Sequence, residues 1–272
     1  MDTYSADFIQ GKGEGHIFLL HGPPGVGKTL TAECVAEYTE RPLLPLTGGD
    51  IGSTAIEVER NLRKYLRRGQ DWNAVVLLDE AHVYLSARDF SNSIEHNSVV
   101  SVFLREVEYY RGILFLTTNR VGNFDEAITS RIHFSLHFNK FTPASRKQIW
   151  KNNLRKLGKE RRDVKVDYNV TKYIDNELLN LDWNGREIRN AFQTAVSLAL
   201  FDSKHENERQ AKESGSSERV IDAELTVDHI QQVVDMSDNF KKYINSTHGE
   251  DPATTAKFKK LRDDDFGNSK DY

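Results

Sequence analysis

The sequence predicts an α/β fold, in which a parallel β-sheet lies between helices and a small all-α domain follows. Three observations lead to this prediction. Short apolar runs alternate with helical patterns over the first half of the 272-residue chain, which is typical of a parallel sheet covered on both faces. A glycine-rich loop joins the first apolar run to a helix. From about Phe141 onward only helical patterns remain.

Five apolar runs are predicted to be the strands of the sheet. In chain order they are HIFLLH (16–21), PLLPLT (42–47), AVVLLDE (74–80), GILFLTTN (112–119) and HFSLHF (133–138). Helical patterns occupy the intervals near 28–40, 54–68 and 96–110. In the last interval Val99, Phe103 and Val107 recur at every fourth residue, so they share one helix face.

The loop within HGPPGVGKTLTAE has the composition of a phosphate-binding loop. It fits the spacing G-x-x-x-x-G-K-[ST] at Gly22, Gly27, Lys28 and Thr29. Glycines let backbone N–H groups turn inward, and the positive end of the following helix dipole favours an anion. We expect Lys28 to reach the β- and γ-phosphates and Thr29 to ligate Mg²⁺. The predicted nucleotide contacts in this loop are Gly22, Pro23, Pro24, Gly25, Val26, Gly27, Lys28, Thr29 and Leu30.

Polar residues end the third and fourth predicted strands. Asp79 is placed to contact the nucleotide site and to help hold Mg²⁺ there. The next residue, Glu80, is the candidate to polarise a water for attack on the γ-phosphate. Asn119, at the end of FLTTNR, is a candidate to orient that water. Taken alone, an asparagine at a strand end is more often a turn former.

The second half of the chain is predicted to be a separate helical domain. TPASRKQIWKNNLRKL begins with Thr142 as the N-cap and Pro143 at the first helical position. We assign 1–140 to the α/β domain, 141–245 to the helical domain and 246–272 to a poorly ordered charged tail. Residues 202–219 are polar and are predicted to form a mobile loop.

Composition narrows the classes of function. The net charge of −4 gives no indication of wholesale nucleic-acid binding. A single cysteine, Cys34, excludes an internal disulfide framework, fits a reducing compartment and is expected to be buried. No apolar run has the length of a membrane span or the pattern of a signal peptide. We therefore expect an intracellular protein, with cytoplasm, nucleus and organelle matrix unresolved; an upstream domain in a longer chain also stays open.

Two further features have structural interpretations. The basic cluster RNLRKYLRRG (60–69) is interpreted as a solvated helix face, with nucleic-acid contact as the alternative. Trp72, Trp150 and Trp183 are predicted to be packing anchors.

The motifs GPPGVGKT, LLDE, TTNR, SR and GREIRN, in this order, resemble the AAA+ ATPase family over residues 15–240. The resemblance is greatest to the AAA subgroup and to fungal AAA-type ATPases. It implies a sheet with strand order 5-1-4-3-2, a helical lid domain and assembly into homo-oligomeric rings, usually hexamers. It also implies ATP and Mg²⁺ as ligands and a protein as the substrate or adaptor.

The resemblance assigns roles to single residues. Asn119 matches the sensor-1 position, and Arg131 matches the arginine finger that completes the site of the neighbouring subunit. Arg186 matches sensor 2, with Arg189 one helical turn further on as the competing candidate. Many relatives carry two nearby arginines at the finger position, whereas this segment offers only one, with Arg120 further back.

One segment departs from the pattern of ring-shaped unfoldases. Those proteins present an aromatic residue on a central loop after the second strand. The corresponding stretch here, TGGDIGSTAIEVERNL, has none, and Ile56 is the large apolar residue near that place. Either the grip on a polypeptide substrate is aliphatic and weaker, or the protein does not thread polypeptide.

The leading hypothesis is a Mg²⁺-dependent ATPase that hydrolyses ATP to ADP and phosphate and remodels a macromolecular, preferably protein, partner. One alternative is a nucleotide-gated binding switch with little or no turnover. The intact set of Lys28, Asp79, Glu80 and Asn119 argues against it, because a switch does not need Glu80. A second alternative is a clamp-loader-like machine directed to DNA, which salt-dependent retention on DNA would support.

Overall fold

The structure is a computed structural model that describes residues 15–87, 94–122, 124–214, 222–248, 252–259 and 261–262. The chain forms two compact units. Met1–Asn139 together with Ala253–Tyr272 make up the first, and Lys140–Pro252 make up the second. No described helix is both long enough and apolar enough to cross a lipid bilayer.

The first unit is built around a five-stranded parallel sheet. Its strands are β1 (His16–His21), β2 (Leu43–Leu46), β3 (Val75–Leu78), β4 (Ile113–Thr118) and β5 (Phe134–His137). Their order across the sheet is β2-β3-β4-β1-β5, and every pairing is parallel. The predicted α/β fold class and the strand order implied by the resemblance are therefore both confirmed.

Helices connect the strands, because neighbouring parallel strands need crossover connections. In chain order they are α1 (Lys28–Tyr38), α2 (Gly48–Ile51), α3 (Ala55–Asp71), α4 (His82–Leu85), α5 (Ile94–Glu108) and α6 (Glu126–Thr129). Helix α3 begins at a capping box, in which Thr54 accepts from the Glu57 N–H and the Glu57 carboxylate accepts from the Thr54 N–H.

The sheet is buried on both faces. Val76 and Leu78 of β3 belong to the larger core, which α3 and α5 cover. Val75 and Leu77, one residue out of phase, belong to a second core that includes Ala32 of α1. Because side chains alternate between the faces of a strand, burial on both sides produces the continuous apolar run seen in the sequence.

The second unit is mainly helical, with α7 (Pro143–Glu160), α8 (Tyr168–Asn176), α9 (Gly185–Ser214) and α10 (Val227–His248). It also contains a two-stranded parallel sheet of β6 (Val164–Val166) and β7 (Ala223–Leu225). The prediction of a domain without strands was wrong in this detail. Each strand has three residues, which is too short for an alternating pattern to stand out.

The predicted mobile loop at 202–219 is helical as far as Ser214, since α9 continues through it. The segment has no buried stripe, but it has neither proline nor glycine before residue 215. Arg209 lies 3.4 Å from a Glu206 oxygen and 3.8 Å from a Glu213 oxygen, at the helical spacings that support an exposed helix. Residues 215–219 lie outside the described part of the chain.

The segment predicted to be a poorly ordered tail also contains helix. Helix α10 ends at His248, and α11 covers Pro252–Phe258. Ala256 of α11 is buried, and the Leu261 carbonyl accepts hydrogen bonds from the Val121 and Gly122 N–H groups at 2.9 and 3.0 Å. A short apolar anchor therefore holds a mostly polar segment within the first unit. The charged composition of this segment gave no indication of the anchor.

Two side chains differ from their predicted burial. Cys34 is exposed, because α1 buries the face that carries Ala32 and Ala36, opposite to Cys34. Trp72 is 55% exposed, whereas Trp150 and Trp183 are buried in the second unit. Only the latter two are packing anchors.

Candidate functional site

The glycine-rich loop lies between the end of β1 and the first residue of α1. Gly22, Gly25 and Gly27 have φ angles of 137°, 75° and 102°, which residues other than glycine rarely adopt. A Cβ at Gly22 would lie 2.2 Å from the Phe138 carbonyl oxygen. Among the described residues, no side chain caps the N-terminus of α1. Its first N–H groups therefore remain available to an anion.

Lys28 connects this loop to the end of β4. Its ammonium donates to the carbonyl oxygens of Gly22 at 2.9 Å and Pro23 at 2.6 Å. It also donates to Asn119 Oδ1 at 2.7 Å, and the residue is 7% exposed. The charge is thus held at the base of the loop, and Asn119 is oriented towards it.

Thr29 and Asp79 bring two oxygen ligands together at the start of α1 and the end of β3. The Thr29 hydroxyl donates to the two Asp79 carboxylate oxygens at 3.2 and 3.4 Å. The Thr117 hydroxyl also donates to Asp79. A hydroxyl and a carboxylate are hard oxygen donors, which Mg²⁺ prefers, so the residues present fit that ion.

Glu80 has an unusual backbone conformation. Its φ is 54°, in the left-handed region that non-glycine residues seldom adopt. The Glu80 N–H donates to the Thr117 hydroxyl at 3.1 Å, which anchors the turn after β3. The residue itself is exposed. Such conformations cost about 1–3 kcal/mol and are concentrated at functional sites.

Thr117 is a site residue that the sequence analysis missed. It is 1% exposed and connects the Asp79 carboxylate to the Glu80 backbone. Threonine is also a common strand former, so a threonine in β4 does not by itself indicate a site residue. The available signal was a pair of polar residues, TT, that closes an otherwise apolar run.

Arg131 is held within its own unit. One guanidinium nitrogen donates to the Ala127 carbonyl at 2.7 Å, and another donates to Glu108 Oε2 at 2.9 Å. The side chain is 25% exposed. The structure therefore does not bring Arg131 into direct contact with Lys28 or Asp79, and its role as an arginine finger stays a prediction.

Arg186 and Arg189 lie in the first turns of α9, in the second unit, and both are exposed. The Asn184 side chain caps this helix by accepting from the Arg186 N–H at 2.9 Å. The cap fixes where α9 begins and presents both arginines at its start. Their assignment to sensor 2 is likewise still a prediction.

His21 precedes the loop and has a strongly perturbed pKa. Burial, then the nearby His137 and Lys28, lower its pKa from 6.5 to about 4. The His21 and His137 rings lie 5.0 Å apart, centre to centre. His21 is therefore neutral at pH 7, which avoids a further positive charge beside the Lys28 ammonium.

The lowered pKa of His21 predicts an acid-dependent loss of stability. The unfolded chain takes up the His21 proton near pH 6.5 and the folded chain near pH 4. Stability from this group is thus complete above pH 6.5 and declines as the pH falls towards 4. We expect His21→Gln to reduce the fall in Tm between pH 7 and pH 5. His205→Gln, at an exposed position, is the control, and an equal fall in all three proteins would contradict the assignment.

Two family models match consecutive parts of the chain. Residues 18–140 match the model described as ATPase family associated with various cellular activities (AAA), and 141–251 match the fungal AAA+ ATPase lid domain. The chain belongs to the AAA family of ATPases. This membership confirms the resemblance seen in the motifs and supports an ATP-driven activity in general terms.

Curated relatives of this AAA chain are similar to about half of its length. A 26S proteasome regulatory subunit 8 homolog of Encephalitozoon cuniculi is 28% identical over 59% of the chain and 41% of the relative. ATP-dependent zinc metalloprotease FtsH 2 of Phytoplasma mali is 30% identical over 46% of the chain and 20% of the relative. ATPase family AAA domain-containing protein 3B of Homo sapiens is 33% identical over 44% of the chain and 19% of the relative. The matched region thus spans less than half the length of each of these relatives.

Proposed function

We propose that the chain is a Mg²⁺-dependent ATP hydrolase that works in a homo-oligomeric ring, a hexamer by family resemblance, and remodels a protein partner. The observation that carries the proposal is a connected set of side chains at one edge of the sheet. Lys28 contacts Asn119, and Thr29 contacts Asp79, so groups from α1, β3 and β4 converge. This set contains a cation that can bind phosphate, oxygen atoms that can ligate a metal ion and an amide that can orient a water molecule.

Each group has a distinct part in hydrolysis. The Lys28 ammonium and the N–H groups at the start of α1 bind the phosphates, and the ammonium exchanges loop carbonyls for phosphate oxygens. Thr29 and Asp79 would hold Mg²⁺, which supplies neutralisation of phosphate charge. Asn119 orients the attacking water, and Glu80 accepts its proton. The new bond joins the water oxygen to the γ-phosphorus, the bond to the β–γ bridging oxygen breaks, and ADP and phosphate result.

Arg131 supplies the remaining positive charge to the neighbouring subunit in this proposal. The salt bridge with Glu108 at 2.9 Å holds the guanidinium near the end of α5 and offsets its charge in the single chain. When a second copy docks, the guanidinium exchanges Glu108 for phosphate oxygens, with which its hydrogen bonds are also charge-assisted. It neutralises charge on the phosphates as the γ-phosphoryl group transfers.

A mixing experiment tests the assembled hydrolase. Glu80→Gln chains are expected to lose about 10²–10⁴-fold in phosphate release, and Arg131→Ala chains about 10³–10⁵-fold. An equimolar mixture should regain about one quarter of wild-type turnover, because half of the sites keep Glu80 and half of their neighbours keep Arg131. Phosphate release is measured at saturating MgATP. Co-purification of differently tagged chains verifies that mixed assemblies form, and a mixture as inactive as its components would contradict a finger supplied by the neighbour.

A further inference from the structure

The outward face of α3 concentrates positive charge between two exposed apolar side chains. Five cations lie along this open surface: Arg60, Arg63, Lys64, Arg67 and Arg68. Ile56 at one end is 78% exposed and Trp72 at the other is 55% exposed. The whole chain carries a net charge of −4, so this face has the opposite sign to the molecule.

Packing of α3 does not require Arg60, Lys64 or Arg67. The opposite face of the helix buries Val58, Leu62 and Leu66 in the main core. Arg63 is neutralised, since it lies 3.0 Å from Glu59 and 2.8 Å from Glu106. Across the described ranges, by contrast, no carboxylate lies within ion-pair distance of Arg60, Lys64 or Arg67. These three neighbouring cations repel one another, and this repulsion does not stabilise the folded chain.

The three cations without an ion-pair contact form a regular row, although Lys64 Nζ lies 5.6 Å from the centre of the Tyr65 ring and Arg60 interacts electrostatically with Glu57. Positions 60, 64 and 67 are one and two helical turns apart on the same face, with about 6 Å and 4.5 Å between them along the axis. Alternate residues of an extended polypeptide are about 6.6 Å apart, so carboxylates at alternate positions match the step of about 6 Å between residues 60 and 64. Arg68 lies over the Trp72 ring at 5.4 Å, which orients an aromatic surface at the end of the row.

We propose that this face of α3 binds an acidic polypeptide segment that carries an apolar anchor residue. Asp71, a carboxylate on the same face, favours polypeptide over nucleic acid. A nucleic-acid backbone bears a phosphate at every step and would meet this carboxylate, whereas a polypeptide places a neutral residue there. Glu59 does not contribute to this preference, because it is paired with Arg63 and Arg105. The inference rests on the proposed function only for the fate of the bound segment, because binding itself does not require ATP hydrolysis.

Charge reversal with a matched control tests this surface. The first variant is Arg60→Glu with Lys64→Glu, which are exposed and four residues apart on α3. The control is Lys151→Glu with Arg155→Glu, an equally spaced exposed pair on α7 with the same residue types. The probe is a fluorescein-labelled 12-residue peptide of alternating glutamate and serine that ends in leucine. Anisotropy is recorded with the full chain, without nucleotide, at 50 and 300 mM NaCl.

We expect the wild type and the α7 control to bind this peptide equally and the α3 variant to bind it at least about tenfold more weakly. Affinity should fall at 300 mM NaCl, because exposed charges are screened. A peptide with glutamine in place of glutamate should not bind. Emission from the exposed Trp72 should also change on binding, and Trp72→Phe should remove that change.

Two results would overturn the proposal. Equal peptide affinity of the α3 variant and the α7 control, with both folded by circular dichroism, would show that α3 is only a solvated face. Tighter binding of a twelve-nucleotide oligothymidine than of the acidic peptide, lost in the α3 variant, would assign the face to nucleic acid. Since no nucleotide is present, neither result depends on whether the chain hydrolyses ATP.

Discussion

Glu80→Gln is expected to leave MgATP bound while phosphate release falls by about 10²–10⁴-fold, the usual worth of a positioned general base. The amide keeps the size and one acceptor oxygen of the side chain but cannot take a proton from water. The Glu80 backbone is held by the Thr117 hydroxyl, so the loop keeps its geometry in the variant. Binding is measured with a fluorescent ATP analogue and turnover by phosphate release.

Glu37→Gln provides the control for this experiment, because Glu37 is an exposed glutamate of α1. It should have wild-type binding and turnover. If Glu80→Gln kept half or more of the wild-type turnover, Glu80 would not be the base. Its left-handed conformation would then serve only the turn after β3.

Lys28→Met is expected to weaken nucleotide binding by about 100-fold, since charge-assisted hydrogen bonds to phosphate are among the strongest in proteins. Methionine retains the apolar stem at this buried position and removes the charge. The variant also frees the Gly22 and Pro23 carbonyls and Asn119, which the ammonium holds in the structure. Affinity for the fluorescent analogue is the measurement, and Tm shows whether the unit stays folded.

Lys151→Met, at an exposed position of α7, is the matched control and should bind nucleotide as the wild type does. Equal affinity of Lys28→Met and the wild type, in a folded protein, would remove Lys28 from the phosphate site. Lys28→Arg keeps the positive charge and changes only its shape. We expect it to weaken nucleotide binding as well, because a planar guanidinium does not replace a compact ammonium inside a tight loop.

The sheet and the loop were predictable from the sequence for a simple physical reason. Strands buried on both faces, such as β3, have no polar positions, and a loop with three left-handed backbones needs glycine. The pairing of β6 with β7 was not predictable, because three residues carry too little pattern. The helix at 202–214 was not predictable from apolar periodicity, because it is polar and has no buried face.

The candidate site could be predicted as far as its motifs extend. Lys28, Thr29, Asp79 and Asn119 come together because parallel strands end at the same edge of the sheet. The strained Glu80 backbone was hidden, because its residue type disfavours that conformation. The salt bridge of Arg131 with Glu108 was not predictable either. The two residues are 23 positions apart in the sequence, and only the fold brings them together.

Phosphate release by the wild-type chain over a hundredfold range of protein concentration tests the central proposal most directly, with Glu80→Gln as the blank. An assembled hydrolase with Arg131 supplied by the neighbour predicts turnover per chain that rises with concentration and reaches a plateau as the oligomer forms. Binding of MgATP with no release above the blank at any concentration, including that at which sedimentation shows the oligomer, would contradict it. The chain would then be a nucleotide-gated switch.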